Sequence, residues 1–330
     1  VHKVILDTDP GIDDTMAIAY AVCHPEIELL GLTTVFGNVS IDKATRNAQY
    51  VLQKLGASSV KVAKGAAVPV VQDPKPFAEF VHGEDGIGNC YDSAVTYDAS
   101  ADHAQLQSLD AADFIIEQVK AAPGEITLIA VGPLTNIAIA LAREPQLPSL
   151  VQQLIIMGGT VVEPGNVSPV AEANFLGDPH AADQVLGVSW PATIVGLDVT
   201  HQILITDAHL KELDNNAAET GALIWQTSRF YVDFYSSKGA ATGAPERACA
   251  MHDAAAVAYL LIPDAFEVVS GPARVIEDGV AVGQLALDRK GYDYGLPYWQ
   301  GRPDSHACMH VDDARVLRHF VDTIVNHRLC

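Results

Sequence analysis

Short runs of β-branched and apolar residues alternate with stretches of helical spacing from the start of the chain to about Gly196. The strand-length runs fall at residues 4–6, 27–36, 60–63, 127–131, 154–157 and 193–196. Helical spacing occupies 13–23, 42–55, 111–121, 134–143 and 179–186, with Ser40 placed as an N-cap for the second of these. Strands separated by helices pair through crossovers rather than hairpins, so the pattern predicts an α/β fold with a mostly parallel, Rossmann-like central sheet flanked by helices. Two regions depart from the alternation. Residues 69–108 are rich in Pro, Gly, Asp and His without a sustained period, which in a compact domain marks a functional or mobile stretch. From Thr206 onward the spacing reads as more helical, at 207–213, 219–237, 253–261 and 312–327. No internal repeat or Ser/Gly linker divides the chain, so residues 1–330 are expected to form a single domain.

Composition narrows the function. Apolar residues make up 49% of the chain and charged ones 18%, enough to bury a large core. The net charge of −21 argues against nucleic acid or an anionic membrane as partner, since either would select a basic surface. The longest apolar runs fall short of the ~18 residues that span a bilayer. No signal peptide is read at the start, where Asp7 and Asp9 follow a short apolar run at once. The 5 cysteines (Cys23, Cys90, Cys249, Cys308 and Cys330) are scattered and form no C-x-x-C, so they read as reduced thiols of a cytoplasmic protein.

In open parallel sheets ligands bind beyond the carboxyl ends of the strands. There the first strand ends in Asp7-Thr8-Asp9-Pro10-Gly11-Ile12-Asp13-Asp14. Asp13 and Asp14 suit the start of a helix, whose dipole favours negative charge, and Gly11 permits the turn. Carboxylates crowded this closely repel one another unless a proton or a cation joins them, and oxygen-only donors favour a hard cation such as Ca²⁺ or Mg²⁺. His252-Asp253 before an apolar helix is either a second acidic site or a simple cap. Glu172-Ala173-Asn174, after Gly158-Gly159 and Gly165-Asn166, is either a polar wall or a turn. The run His306-Ala307-Cys308-Met309-His310 has metal-donor types, but without a second cysteine it reads as packing.

Together with Thr34-Val35-Phe36-Gly37-Asn38, Gly132-Pro133-Leu134-Thr135-Asn136, Met157-Gly158-Gly159, Asp198-Val199-Thr200-His201 and His252-Asp253, the acidic octet resembles the nucleoside hydrolases, and more narrowly their inosine–uridine-preferring type. The likeness keeps its order from about Lys3 to His310. It implies the nucleoside hydrolase fold and a Ca²⁺-dependent enzyme that cleaves the N-glycosidic bond of purine or pyrimidine ribonucleosides, releasing ribose and free base. Carried onto matching positions, it makes Asp9, Asp14 and Asp253 carboxylate ligands of calcium and Val131 a carbonyl ligand. Asp9 then also takes the proton of the attacking water. Asp13, Asn38, Met157, Asn166, Glu172, Asn174 and Asp253 contact the ribose; Asp7 lies behind the site. His82 and His252 face the base, with His252 protonating it as it leaves. The resemblance further implies a homodimer or homotetramer acting on a small nucleoside substrate, with neither nucleic acid nor membrane as partner.

Two departures stand out. Ala173 occupies a position where the family commonly has an aromatic, and the lid-like loop 82–88 offers no tryptophan for stacking on a purine. Tyr231, Phe234 and Tyr235 sit on a predicted helix and read equally as pocket wall or as core. Two other functions compete. A Mg²⁺-dependent phosphatase with an aspartyl nucleophile wants Thr or Val where Gly11 stands, and a non-catalytic nucleoside- or sugar-binding protein would have no use for Asp9 and His252.

Overall fold

Val4 and Leu6 of the first strand enter one apolar layer while Ile5 enters another. Ile129 and Ile155 likewise face the first layer, and Leu128 and Leu154 the second. This period of two is that of strands buried on both faces. The computed structural model describes residues 1–92, 108–237 and 247–327. Its elements run β1 (His2–Thr8), α1 (Ile12–Cys23), β2 (Ile27–Thr34), α2 (Ile41–Lys54), β3 (Lys61–Lys64), α3 (Glu79–His82), α4 (Ala111–Ala121), β4 (Ile126–Ala130), α5 (Thr135–Arg143), α6 (Leu147–Leu150) and β5 (Gln153–Met157). The chain continues through α7 (Ala173–Gly177), α8 (Pro179–Leu186), β6 (Ala192–Val195), α9 (Leu197–Thr200), β7 (Leu204–Thr206), α10 (Asp207–Asn216), α11 (Ala218–Ser237), β8 (Ala248–Ala250) and α12 (His252–Leu261). It closes with β9 (Phe266–Val275), β10 (Leu285–Leu287), β11 (Asp304–Val311) and α13 (Asp313–Asn326).

The main sheet has 9 strands in the order β10-β9-β11-β6-β5-β4-β1-β2-β3. Its pairings from β11 through β3 are all parallel, and only β9 with β11 and β10 with β9 are antiparallel. Residues of α1, α12 and α13 fill the layer on one face and residues of α4, α5 and α8 the layer on the other. The α/β class, the parallel sheet and the flanking helices are those expected from the alternation. The chain runs outward from β1 to β3, then returns to the other side of β1 as β4. That reversal opens a crevice at the carboxyl ends of β1 and β4, where ligands of such sheets bind.

The C-terminal part corrects the sequence reading. Between its helices it adds β9, β10 and β11, none of which the helical reading anticipated. The reason lies in β9: residues 266–272 pair with β11 and residues 273–275 with β10, and Pro272 stands at the hand-over. A proline within a run reads as a strand breaker, and here it is tolerated because one ladder stops where the other begins. Cys308 is buried in β11 while His306 and His310 are exposed, so these three donors do not converge. Within the irregular stretch only α3 is helical among the described residues; residues 93–107 of that stretch and Cys330 lie outside them.

Candidate active site

The first turns of α1 and α12 face one another across the end of the sheet, bringing Asp13, Asp14 and Asp253 together. Each of the three offers a carboxylate oxygen within 4.8 Å of the others. Both helices are packed together along their lengths, so the positive ends of two helix dipoles meet the same acidic group. The octet folds around Asp14. Its Oδ2 accepts the Gly11 amide at 2.8 Å and Asn38 Nδ2 at 3.1 Å, and its Oδ1 accepts the Thr8 hydroxyl and the Asp9 amide.

Asp9 is held from three sides. Its Oδ2 accepts the Asn38 amide at 2.6 Å, and its Oδ1 is buried without a hydrogen-bond partner. Gly37 and Gly132 flank the carboxylate so closely that a Cβ on either would strike it. Asp7 lies beneath, where Thr33 Oγ1 (2.5 Å) and Asn136 Nδ2 (2.8 Å) both donate to its Oδ1.

Burial pushes every one of these carboxyls upward. Asp13 rises to about 8 through burial and then the charge of Asp14. Asp253 rises well above its ordinary range through burial and then Asp13, Asp14 and Asp9. Asp9 and Asp14 rise as well, first through burial, and Asp7 reaches about 7. Four aspartates in one dry site cannot all be ionised unless a cation neutralises them.

A second wall follows β4 and β5. Glu172 caps α7, accepting the amides of Asn174 (2.8 Å), Phe175 (3.1 Å) and, across the turn, Gly159 (2.8 Å). Asn174 Nδ2 donates to the carbonyls of Val131 (2.8 Å) and Met157 (3.1 Å), tying that cap to both strand ends. Asn166 Oδ1 accepts the Ala173 amide at 3.1 Å. Burial raises Glu172 to about 7.

The third wall is aromatic. His252 is buried with both ring nitrogens engaged, Nδ1 with the Thr200 hydroxyl and Nε2 with the Tyr235 hydroxyl, each at 2.8 Å. Tyr235 stands edge-on to Tyr231, whose ring stacks on His82 at 5.5 Å. Ring contacts thus run from His82 through Tyr231 and Tyr235 to His252, with the Thr200 hydroxyl behind it. Burial holds His252 well below its ordinary range and lowers His82 to about 3, so both rings are neutral at pH 7. His82 Nδ1 accepts the Ile12 amide at 3.2 Å, which turns this ring toward α1.

Asp13, Asn38, His82, Val131, Met157, Asn166, Glu172, Asn174, His252 and Asp253 thus line one cavity of about 130 Å³. Asp9 lines a second, adjoining cavity of about 240 Å³. Asp14 joins the acidic cluster without lining either, and Asp7 is buried behind both. A larger cavity of about 630 Å³ lies at the other end of α1 beside α13, remote from these carboxylates. The sequence reading gave no role to Thr200 and left Tyr231, Phe234 and Tyr235 undecided. Their spacing on α11 suits a core face as well as a pocket, and only the position of His252 separates the two.

A model of the inosine–uridine preferring nucleoside hydrolases matches residues 4–318. The chain belongs to this family. Uridine nucleosidase 1 of Arabidopsis thaliana is 39% identical over 300 residues, covering 91% of this chain and 84% of that one. The inosine–uridine preferring nucleoside hydrolase of Crithidia fasciculata is 39% identical over 299 residues, or 89% of each. Among solved structures, a plant nucleoside hydrolase superposes with a TM-score of 0.91 at 34% identity, covering 98% of this chain and 99% of its own. The purine-preferring ribonucleoside hydrolase of Gardnerella vaginalis gives 0.86 at 31% identity, with 98% of each covered. The chain thus shares both family and fold with these hydrolases over nearly its whole length.

Proposed function

We propose that this nucleoside hydrolase cleaves the N-glycosidic bond of ribonucleosides to ribose and free base, with Ca²⁺ as its resident cation and all 330 residues as one catalytic domain. The observation that carries the reading is the cluster of buried aspartates beside a cavity that the His252–Tyr235 pair also lines. A cation fits the donors present. They are oxygens only, which suits a hard ion, and Asp9 Oδ1 and Asp13 Oδ1 are buried without partners. Asp9, Asp14, Asp253 and the Val131 carbonyl would hold it. When bound, it supplies charge neutralisation and Lewis-acid activation of the attacking water.

The chain's own groups do the rest. Asp9 Oδ1, with no hydrogen bond to satisfy it, accepts the proton of the water that attacks the anomeric carbon. The Asn38 amide on Oδ2 and the two flanking glycines hold that carboxylate in place. Positive charge developing on the ribose is stabilised by the surrounding carboxylates, as in other glycoside cleavage. Asp13, with Asn166 and Asn174, positions the ribose. The base departs toward the aromatic wall, where the Tyr235 hydroxyl gives it a proton; neutral His252 donates its Nε2–H to the tyrosinate oxygen left behind, which regains a proton from solvent. Attack by water without a covalent intermediate gives inversion.

The unpaired described cysteines support a reducing, cytoplasmic setting. No helix among the described residues is long and apolar enough to cross a membrane. Incubating the protein with inosine or uridine and Ca²⁺, and assaying reducing sugar, tests the reaction. Absence of ribose release from either nucleoside overturns it.

A further inference from the structure

His252 meets a hydroxyl at each ring nitrogen, Thr200 Oγ1 at Nδ1 and Tyr235 at Nε2, both at 2.8 Å. A neutral imidazole carries one N–H, so one nitrogen donates and the other accepts. Two arrangements are therefore open to the row. In the first, Nδ1 donates to Thr200 and Nε2 accepts the Tyr235 proton, which then points away from any bound base. In the second, Thr200 donates to Nδ1 and Nε2 donates to the Tyr235 oxygen, so the Tyr235 proton is free to point into the cavity. Protonation of the leaving base by Tyr235 requires the second. Thr200 decides between them, although it lines neither cavity of the site.

The surroundings of Thr200 leave its hydroxyl proton one destination. Thr15, Thr45 and Thr227 also sit in helices, and each gives its hydroxyl proton to the carbonyl four residues back. For Thr200 that carbonyl belongs to Gly196, and it already accepts the amides of Val199 and Thr200, each at 3.1 Å. A carbonyl oxygen has two lone pairs, so neither remains for the hydroxyl. Thr200 is wholly buried, and water does not compete. In the first arrangement its proton would have no acceptor among the described residues, and a buried donor left unpaired is costly. In the second, His252 Nδ1 accepts it.

Resting on the reading above, we infer that Thr200 is a positioning residue for base departure: its hydroxyl donates to His252 Nδ1, fixes the ring as the Nε2–H tautomer and so frees the Tyr235 proton for the leaving base. Thr200 touches no substrate and keeps its proton throughout. The proton that moves is that of Tyr235, whose oxygen then rests on the Nε2–H bond until solvent reprotonates it.

Two substitutions separate the hydroxyl from the methyl. Thr200→Val keeps the buried volume and removes the donor; Thr200→Ser keeps the donor and removes the methyl. At saturating Ca²⁺, Thr200→Val should lower kcat for inosine ~10–100-fold more than for uridine, with KM little changed, since a wrong tautomer disables the group it serves. Thr200→Ser should bring the inosine-to-uridine ratio back to within about threefold of the unaltered protein. A packing role gives the reverse order, with Thr200→Ser the worse variant and both nucleosides affected alike, and that result overturns the inference. So does a ratio unmoved in Thr200→Val. ¹⁵N NMR of the unaltered protein tests the tautomer without any Thr200 variant, the His252 signals being assigned by their loss in His252→Gln. A protonated Nε2 and a bare Nδ1 are expected, and the opposite assignment overturns the inference whatever the rates. Failure of the unaltered protein to cleave either nucleoside overturns the reaction instead.

Discussion

The Tyr235 hydroxyl lies 2.8 Å from His252 Nε2, although 16 residues separate the two in the chain and they belong to different helices. This contact puts a proton donor on the aromatic wall and connects it to a buried imidazole. Inosine and uridine should feel its loss differently. A departing purine takes a proton on its imidazole nitrogen, whereas uracil spreads its charge onto carbonyl oxygens. His252→Ala should therefore lower kcat for inosine by ~10²-fold more than for uridine, and Tyr235→Phe should show the same preference. Steady-state rates at saturating Ca²⁺ check this. Equal losses on both substrates would leave the pair a packing role.

Asp9→Asn keeps an oxygen near the cation and removes the base. Its kcat should fall by at least ~10²–10⁴-fold, as for other general bases. Titration of Ca²⁺ binding by calorimetry separates a lost base from a lost ligand. A variant that binds Ca²⁺ and turns over normally places the base elsewhere.

Gly132→Ala should reproduce part of that defect without touching a functional group. The added methyl presses on Asp9 Oδ1 and on Val35, and the carboxylate is the group able to give. We expect kcat to fall more than KM rises, with the melting temperature lowered by a few degrees, which is the scale of ~1–2 kcal/mol of overpacking. Unchanged kcat in a folded variant would show that the position of Asp9 is not critical.

Exhaustive chelation should abolish activity while circular dichroism stays native, because two large apolar layers hold the fold. Ca²⁺ should restore turnover better than Zn²⁺, a softer ion poorly matched to oxygen-only donors. Full turnover of metal-free protein would exclude the cation.

The metal-free protein should lose stability as pH rises. Asp7 is raised to about 7 by burial, and Asp13 to about 8 by burial and then Asp14, from 3.8 in each case. Each holds a proton in the folded state that the unfolded chain has already released. Their contribution is complete below about pH 4 and is lost as pH climbs through 7 and 8. Melting temperature should thus fall between pH 5 and 8, and Asp7→Asn should flatten part of the slope. Ca²⁺, which binds the ionised form, should stabilise more at pH 8 than at pH 5. A flat profile in the metal-free protein would mean these carboxyls are ionised throughout.

Much of this molecule was legible before any coordinates. The apolar runs at β1, β4, β5 and β6 are short, bounded and separated by helices, and that alone requires crossovers and a largely parallel sheet. The octet at the end of β1 carries its own chemistry, since any fold that crowds those aspartates needs a cation or protons. What escaped was set by partners distant in the chain. β9 escaped because residues 266–272 pair with β11 and residues 273–275 with β10, and local spacing holds no record of either partner.

The amino-acid sequence by itself determined the α/β class, the acidic strand end and the membership of His252-Asp253 in an ordered set of motifs, because each depends on residues near one another along the chain. Only the tertiary structure decided that α12 starts opposite α1, so that Asp253 joins Asp13 and Asp14, and that Tyr231 and Tyr235 belong to the site rather than to the core alone. It also decided that Ala173 borders two cavities at once. Packing of helices against a common sheet sets those distances, and packing is a property of surfaces brought together from far along the chain.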